Sequence, residues 1–222
     1  MNFATRQCMP RKKPNYNPEH PIHITARCIN QMWFDFPLEE VWIIFSNYLY
    51  FISHAFNIEI ISFVLMNNHF HLLVHDSNFN ISKAMCYFMR EVSKSITIDT
   101  KRVNQTFGGP FHPTVIGSTE HLLNVYKYIY QNPLRAKIVS RAEEYKFSTL
   151  HGILGLSQAT IPVTSRYDNL FPLVQDTSHT LSWLNHHYDD IEIDLIRKGL
   201  RSHHFKIGKK RSCRTKIDLP SI

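Results

Sequence analysis

A short polar turn set between two apolar runs constrains this chain more than any other feature. Ile58 to Met66 is rich in β-branched residues, Asn67-Asn68 tolerates the positive φ of a tight turn, and His69 to His75 resumes the apolar pattern. The spacing predicts two antiparallel strands joined as a hairpin. Alternate strand side chains point to opposite faces, so Phe70, Leu72 and Val74 enter a core while His69 and His71 share the other face. Two imidazoles side by side on a sheet are half of a divalent-metal site. With 14 histidines in 222 residues, chance supplies about one His-x-His, so the pair needs a partner elsewhere in the chain. His75, on the same face, is a candidate supporting group.

The flanking segments complete a fold. Pro21 to Ile29 alternates Ile22, Ile24, Ala26 and Cys28 with His23, Thr25 and Arg27, and reads as a first strand. Leu38 to Phe56 carries Leu38, Val41, Trp42, Phe45, Tyr48, Leu49, Ile52 and Phe56 at helical spacing, with Pro37 suited to a first turn. Asn80 or Ser82 can cap a second helix to about Thr97. His112 to Ile116 follows a Gly-Gly-Pro break as a fourth strand, and Ser118 or Thr119 caps a helix through Gln131. Asn132-Pro133 is expected to end or kink it, with a short second helix over Leu134 to Ser140. The order β-α-β-β-α-β predicts an α+β, ferredoxin-like antiparallel sheet with both helices on one face, the His69–His71 strand in the middle and an added helix after it.

Three segments are expected: a basic arm over 1–20 with Arg11-Lys12-Lys13, a main domain over 21–150, and a partly helical extension over 151–222. Two helices are expected within Thr177 to Leu200. From Arg197 to Lys216 there are nine Lys or Arg, Lys209-Lys210-Arg211 among them, and no acid. Such a run is most often simply solvated, and a phosphate-contacting tail is the functional alternative. The formal charge of +7 favours a polyanionic partner, nucleic acid first. Cys8, Cys28, Cys86 and Cys213 form no Cys-x-x-Cys pair, which excludes a zinc knuckle or small disulfide scaffold and suits a reducing cytoplasm. No apolar stretch is long enough to span a bilayer, so no membrane partner is expected.

The partner of the two histidines lies in the helix before Pro133. Tyr128 and Asn132 are four apart and share a helical face. A tyrosine hydroxyl is a poor nucleophile at its free pKa, and a cation that polarises a phosphate removes part of that difficulty. Asn132 adds a hard oxygen, and two imidazoles with an amide oxygen suit Mg²⁺ or Mn²⁺. The bland reading makes these tyrosines core and surface aromatics of an amphipathic helix. Tyr126 and Tyr130 lie roughly 200° around from Tyr128, so at most one face can serve a site.

These residues carry a resemblance. Val64-Leu65-Met66-Asn67-Asn68-His69-Phe70-His71-Leu72-Leu73-Val74 and Tyr128-Ile129-Tyr130-Gln131-Asn132-Pro133-Leu134-Arg135-Ala136 resemble the two signatures of the REP-associated tyrosine transposases. These are HUH single-tyrosine enzymes, where HUH denotes His-hydrophobic-His. The likeness spans about Ile22 to Leu150. It implies a metal-dependent endonuclease and strand transferase acting on single-stranded or hairpin DNA, with Mg²⁺ or Mn²⁺ as cofactor and a homodimer as one assembly state. By position, His69 and His71 match the metal ligands, Tyr128 the nucleophile that forms a 5′-phosphotyrosine, and Asn132 the polar metal-proximal residue. Arg11, Lys12, Lys13, Lys127, Arg135, Lys209, Lys210 and Arg211 are the candidate DNA contacts. Asn67 stands where the family usually has proline, and Phe107 to His112 lacks the arginine of the family's Gly-Arg-Phe segment. A nucleic-acid-binding regulator without catalysis and a zinc-dependent hydrolase are the alternatives. Neither explains Tyr128 and Asn132 one turn apart before proline.

Overall fold

The computed structural model describes residues 16–100, 105–173 and 176–207. The elements, in order, are β1 (Ile22–Arg27), α1 (Leu38–Ala55), β2 (Glu59–Leu65), β3 (His69–His75), α2 (Ile81–Thr100), β4 (His112–Val115), α3 (Thr119–Arg135), α4 (Thr149–Ile153), α5 (Thr177–Asn185) and α6 (Asp190–Leu200). The strands form one antiparallel sheet in the order β2-β3-β1-β4, the expected ferredoxin-like arrangement with β3 and β1 central.

The period-two pattern sorts the two faces. On one face Phe63 and Phe70 meet α1 and α2 in a ring cluster: Phe45 lies 5.6 Å from Phe70 and 5.3 Å from Phe88, both edge-on. Each such pair contributes about 0.5–1.5 kcal/mol beyond its area burial. The other face is polar along β1 and β3, and α3 packs across β2 and β3 there. Thr149 at the start of α4 links these layers, accepting from Phe63 N at 2.9 Å and meeting the Tyr130 hydroxyl at 2.8 Å.

Two helix ends differ from the sequence expectation. Neither Ser82 nor the Asn80 side chain caps α2. The Asp76 carboxylate accepts from Ile81 N at 2.7 Å, and Asn80 Nδ2 donates instead to the Phe56 carbonyl. Pro133 neither ends nor splits α3, which runs through it to Arg135. Proline brings no N–H to the Ile129 carbonyl, and Asn132 Nδ2 turns back to the carbonyls of Tyr128 (2.8 Å) and Ile129 (3.4 Å). The helix stops two residues later in a Schellman motif. Lys137 adopts φ 56°, its N–H bonds the Leu134 carbonyl, and Ile138 N–H bonds the Pro133 carbonyl. That left-handed residue prevents the expected helix over Leu134 to Ser140.

Both sheet edges are occupied. Along β2, Leu65 N bonds the Phe147 carbonyl and Thr164 N bonds the Ile60 carbonyl. Along β4, Val115 N bonds the His203 carbonyl and Phe205 N bonds the Val115 carbonyl. The segment after α6 thereby lies against the sheet. No helix among the described residues is long and apolar enough to cross a membrane.

Candidate active site

The polar face of β1 and β3 is the floor of a cleft of about 690 Å³. Strand register sets its layout: Thr25 pairs with His71 and Arg27 with His69, while Thr25 faces His112 on the opposite side. The cleft is lined by His23, His69, His71, His112, Tyr128 and Asn132, together with Arg27, Arg135, Arg197 and Arg201. Among the described residues no carboxylate lines it, while four arginines do, a lining that favours an anion.

Each of the paired histidines has one ring nitrogen anchored. Asn68 Nδ2 donates to the Gln31 carbonyl, which turns Asn68 Oδ1 toward His69 Nδ1 at 2.7 Å. An amide oxygen only accepts, so His69 carries its proton on Nδ1 and keeps a lone pair on Nε2. His71 Nδ1 lies 2.9 Å from His23 Nε2, with the two rings stacked. Burial, with His112 nearby, pushes the His23 pKa down to about 3; burial, with Arg27 nearby, pushes His69 to about 4. Burial also holds His71 well below the usual histidine range, with the charges of His69 and His23 next in weight. All three are neutral at pH 7, the form that ligates a cation. Outer anchoring of the distal nitrogen is the arrangement that metal-binding histidines need.

Of the three tyrosines on α3, one faces the cleft. The Tyr128 ring stands edge-on to His71 at 5.5 Å, and no hydrogen bond among the described residues claims its hydroxyl. Tyr126 stacks on Phe171 at 3.6 Å, and Tyr130 is tied to Thr149 with its pKa pushed up to about 12 by burial. Asn132 lies one turn beyond Tyr128. With Nδ2 committed to helix carbonyls, its Oδ1 is the atom left for a ligand. Among the described residues no three His, Cys, Asp or Glu side chains cluster as metal ligands. The side chains lining the cleft that would suit a hard cation are the imidazoles of His69 and His71 and the amide oxygen of Asn132.

Other expected contacts fare differently. Arg135 lines the cleft, and its Nε is buried without a hydrogen-bond partner among the described residues, as is His112 Nε2. Lys127 does not reach a DNA surface: it is 2% exposed, its Nζ 4.6 Å from the Tyr188 ring and 5.5 Å from Trp183. Packing α5 and the following turn onto α3 covers that face, which correction no helical periodicity announces. Arg11, Lys12, Lys13, Lys209, Lys210 and Arg211 lie outside the described residues. His75 bonds the Tyr167 hydroxyl at 2.7 Å and is absent from the cleft lining. The sequence reading passed over His23, Arg27, His112, Arg197 and Arg201 as site residues. For His23 and Arg27 the signal was present, since both alternate onto the polar face of β1.

The family described as "Transposase IS200 like" matches residues 22–132, a span that holds His69, His71, Tyr128 and Asn132. The chain belongs to the IS200-like transposase family. A solved structure of a REP-associated tyrosine transposase bound to a REP hairpin is similar to this transposase with a TM-score of 0.52 at 20% identity, covering 68% of this chain and 90% of that one. At that identity the likeness speaks for a shared fold. Among curated proteins none matches the chain. The cleft of this IS200-like transposase thus lies on the sheet face and third helix that the family match covers, while α6 lies outside it.

Proposed function

We propose that the chain is a divalent-metal-dependent endonuclease and strand transferase for single-stranded DNA, including strands that flank hairpins. The observation that carries this is the convergence of Tyr128, His69, His71 and Asn132 on one carboxylate-free cleft. Tyr128 Oη attacks a phosphodiester phosphorus in line with the departing 3′ oxygen. A tyrosyl–phosphate bond forms on the 5′ side, the P–O3′ bond breaks, and the net proton passes from Tyr128 to the 3′-OH. His69, His71 and Asn132 would hold the cation, which would supply charge neutralisation on the phosphate oxygens. The neighbouring arginines orient the strand and offset its charge. Because the bond energy stays in the phosphotyrosine, the 3′-OH of the same or another strand can reverse the step without ATP.

The test is covalent attachment of a labelled single-stranded or hairpin oligonucleotide in Mg²⁺ or Mn²⁺, resolved on a denaturing gel. Wild type, Tyr126→Phe and Tyr130→Phe give the adduct, and Tyr128→Phe does not. An adduct with Tyr128→Phe removes that residue as nucleophile. Tight binding without any adduct makes the protein a DNA-binding regulator.

A further inference from the structure

The cleft has a wall that the family match leaves out. α6 presents Leu200 and Arg197 to it, and Arg201, its C-cap residue, lines it too; the cap keeps helical backbone angles, so the two arginines, four apart, share one face. Their placement is built. At its start α6 meets α3 through Asp190 and Arg135 at 3.5 Å, and a capping box of Asp189 and Glu192 fixes its first turn. At its end the Leu200 carbonyl accepts from Thr114 Oγ1 at 3.0 Å, on β4. Gly199 lies so close to Phe205 that a Cβ there would stand 2.8 Å from the ring, and Phe205 is itself bonded to Val115. His203 stacks on His112 at 5.7 Å, closing the same corner. The helix is thus joined to α3 near its start and to β4 at its end.

Neither Arg197 nor Arg201 has a carboxylate partner among the described residues, although 18 acids are available in the chain. Two unpaired guanidiniums facing neutral imidazoles and an uncommitted hydroxyl form an anion site. Their planar donor forks match phosphate oxygens. We propose that α6 is the second wall of the DNA cleft, and that Arg197 and Arg201 grip a backbone phosphate of the strand next to the one Tyr128 attacks. This rests on the reading of the cleft as a single-stranded DNA site. It makes the C-terminal extension part of the catalytic unit. The Arg197 charge also reaches His71, which ties the wall electrostatically to the floor.

The test uses the full chain and oligonucleotides in which single phosphates around the cut site are replaced by neutral methylphosphonates. Wild type loses affinity at one position beside the cut, and Arg197→Ala/Arg201→Ala loses affinity for the unmodified strand but no longer responds to that replacement. The expected loss is about tenfold or more per arginine, and the log–log salt slope falls by about 0.7 for the one phosphate no longer neutralised on single-stranded DNA. Lys198→Ala, on the same helix but outside the cleft lining, is the charge control. Unchanged affinity and slope in the double variant overturn the clamp while leaving the nuclease reading intact. So does an equal loss with Lys198→Ala, or methylphosphonate sensitivity that survives the double substitution. If wild type neither binds nor attaches to single-stranded DNA, both readings fall together. Thermal melting of the double variant close to wild type excludes unfolding, since both side chains are exposed.

Discussion

Burying neutral imidazoles under the cleft makes the fold sensitive to acid, and His23 allows the effect to be isolated. Its side chain is fully buried beside His71, and its pKa falls from about 6.5 in an unfolded chain to about 3. The folded value lies below the unfolded one, so the unfolded chain binds the proton first. The contribution is complete above about pH 6.5 and is lost as pH falls toward 3, at about 1.4 kcal/mol per unit. Between pH 6.5 and 4.5 that amounts to roughly 2–3 kcal/mol from this residue, a large share of the 5–15 kcal/mol typical of a domain. His69 adds to the slope over a narrower range, down to about 4. The perturbation is His23→Gln, whose amide can donate to or accept from His71 Nδ1 and does not titrate. Urea unfolding of wild type and variant, with chelator, gives their stability difference at several pH values. The variant is less stable at about pH 7.5 and regains roughly 2–3 kcal/mol on wild type by about pH 4.5. A difference that stays constant across this range refutes the reasoning.

Asn132 has two separable roles. Asn132→Ala and Asn132→Asp both lose the Nδ2 donor to the helix carbonyls and drop stability by about 1 kcal/mol in melting experiments. Only Asp retains the oxygen, so in Mn²⁺ titrations followed by electron paramagnetic resonance Ala weakens binding and Asp does not. Lys127→Met leaves the salt slope of DNA binding unchanged, because Lys127 is held between Tyr188 and Trp183; a fall of about 0.7 restores it as a phosphate contact. Gln131 Nε2 donates to the carbonyls of Leu184 (2.8 Å) and His186 (2.7 Å), fastening the end of α5 to α3. Gln131→Leu removes both bonds and costs about 1–3 kcal/mol in urea, with faster hydrogen exchange confined to α5 as the signature.

How much was legible follows from where the information sits. The hairpin, closed by Met66 N on the His69 carbonyl, and the shared face of His69 and His71 stand as read, although neither Asn67 nor Asn68 adopts the positive φ that pointed to the turn. Tyr128 separates from Tyr126 and Tyr130 by helix geometry alone. Pro133 misled because its missing N–H is answered by the side chain one residue earlier, which the usual rule for proline does not consider. Asp76 caps α2 from outside the residues where a cap is sought. Lys127 reads as exposed on a basic, amphipathic helix, and only the later arrival of Tyr188 and Trp183 buries it. Arg197 and Arg201 sit at the start of a charge run whose composition resembles a solvated tail. Their placement depends on Gly199, Phe205 and Thr114, residues from two distant parts of the sequence that meet only in three dimensions.

The segment after α6 that closes along β4 has a consequence for how the protein is made. Phe205 reaches Val115 from about 90 residues downstream. At synthesis rates of about 5–20 residues per second, the outer rim of β4 waits roughly 5–20 s for its cover. During that interval the nascent chain presents unpaired backbone groups to its neighbours, and the cleft lacks one side. The closed cleft and protection from strand-to-strand association are therefore acquired together, late, when the same few residues emerge.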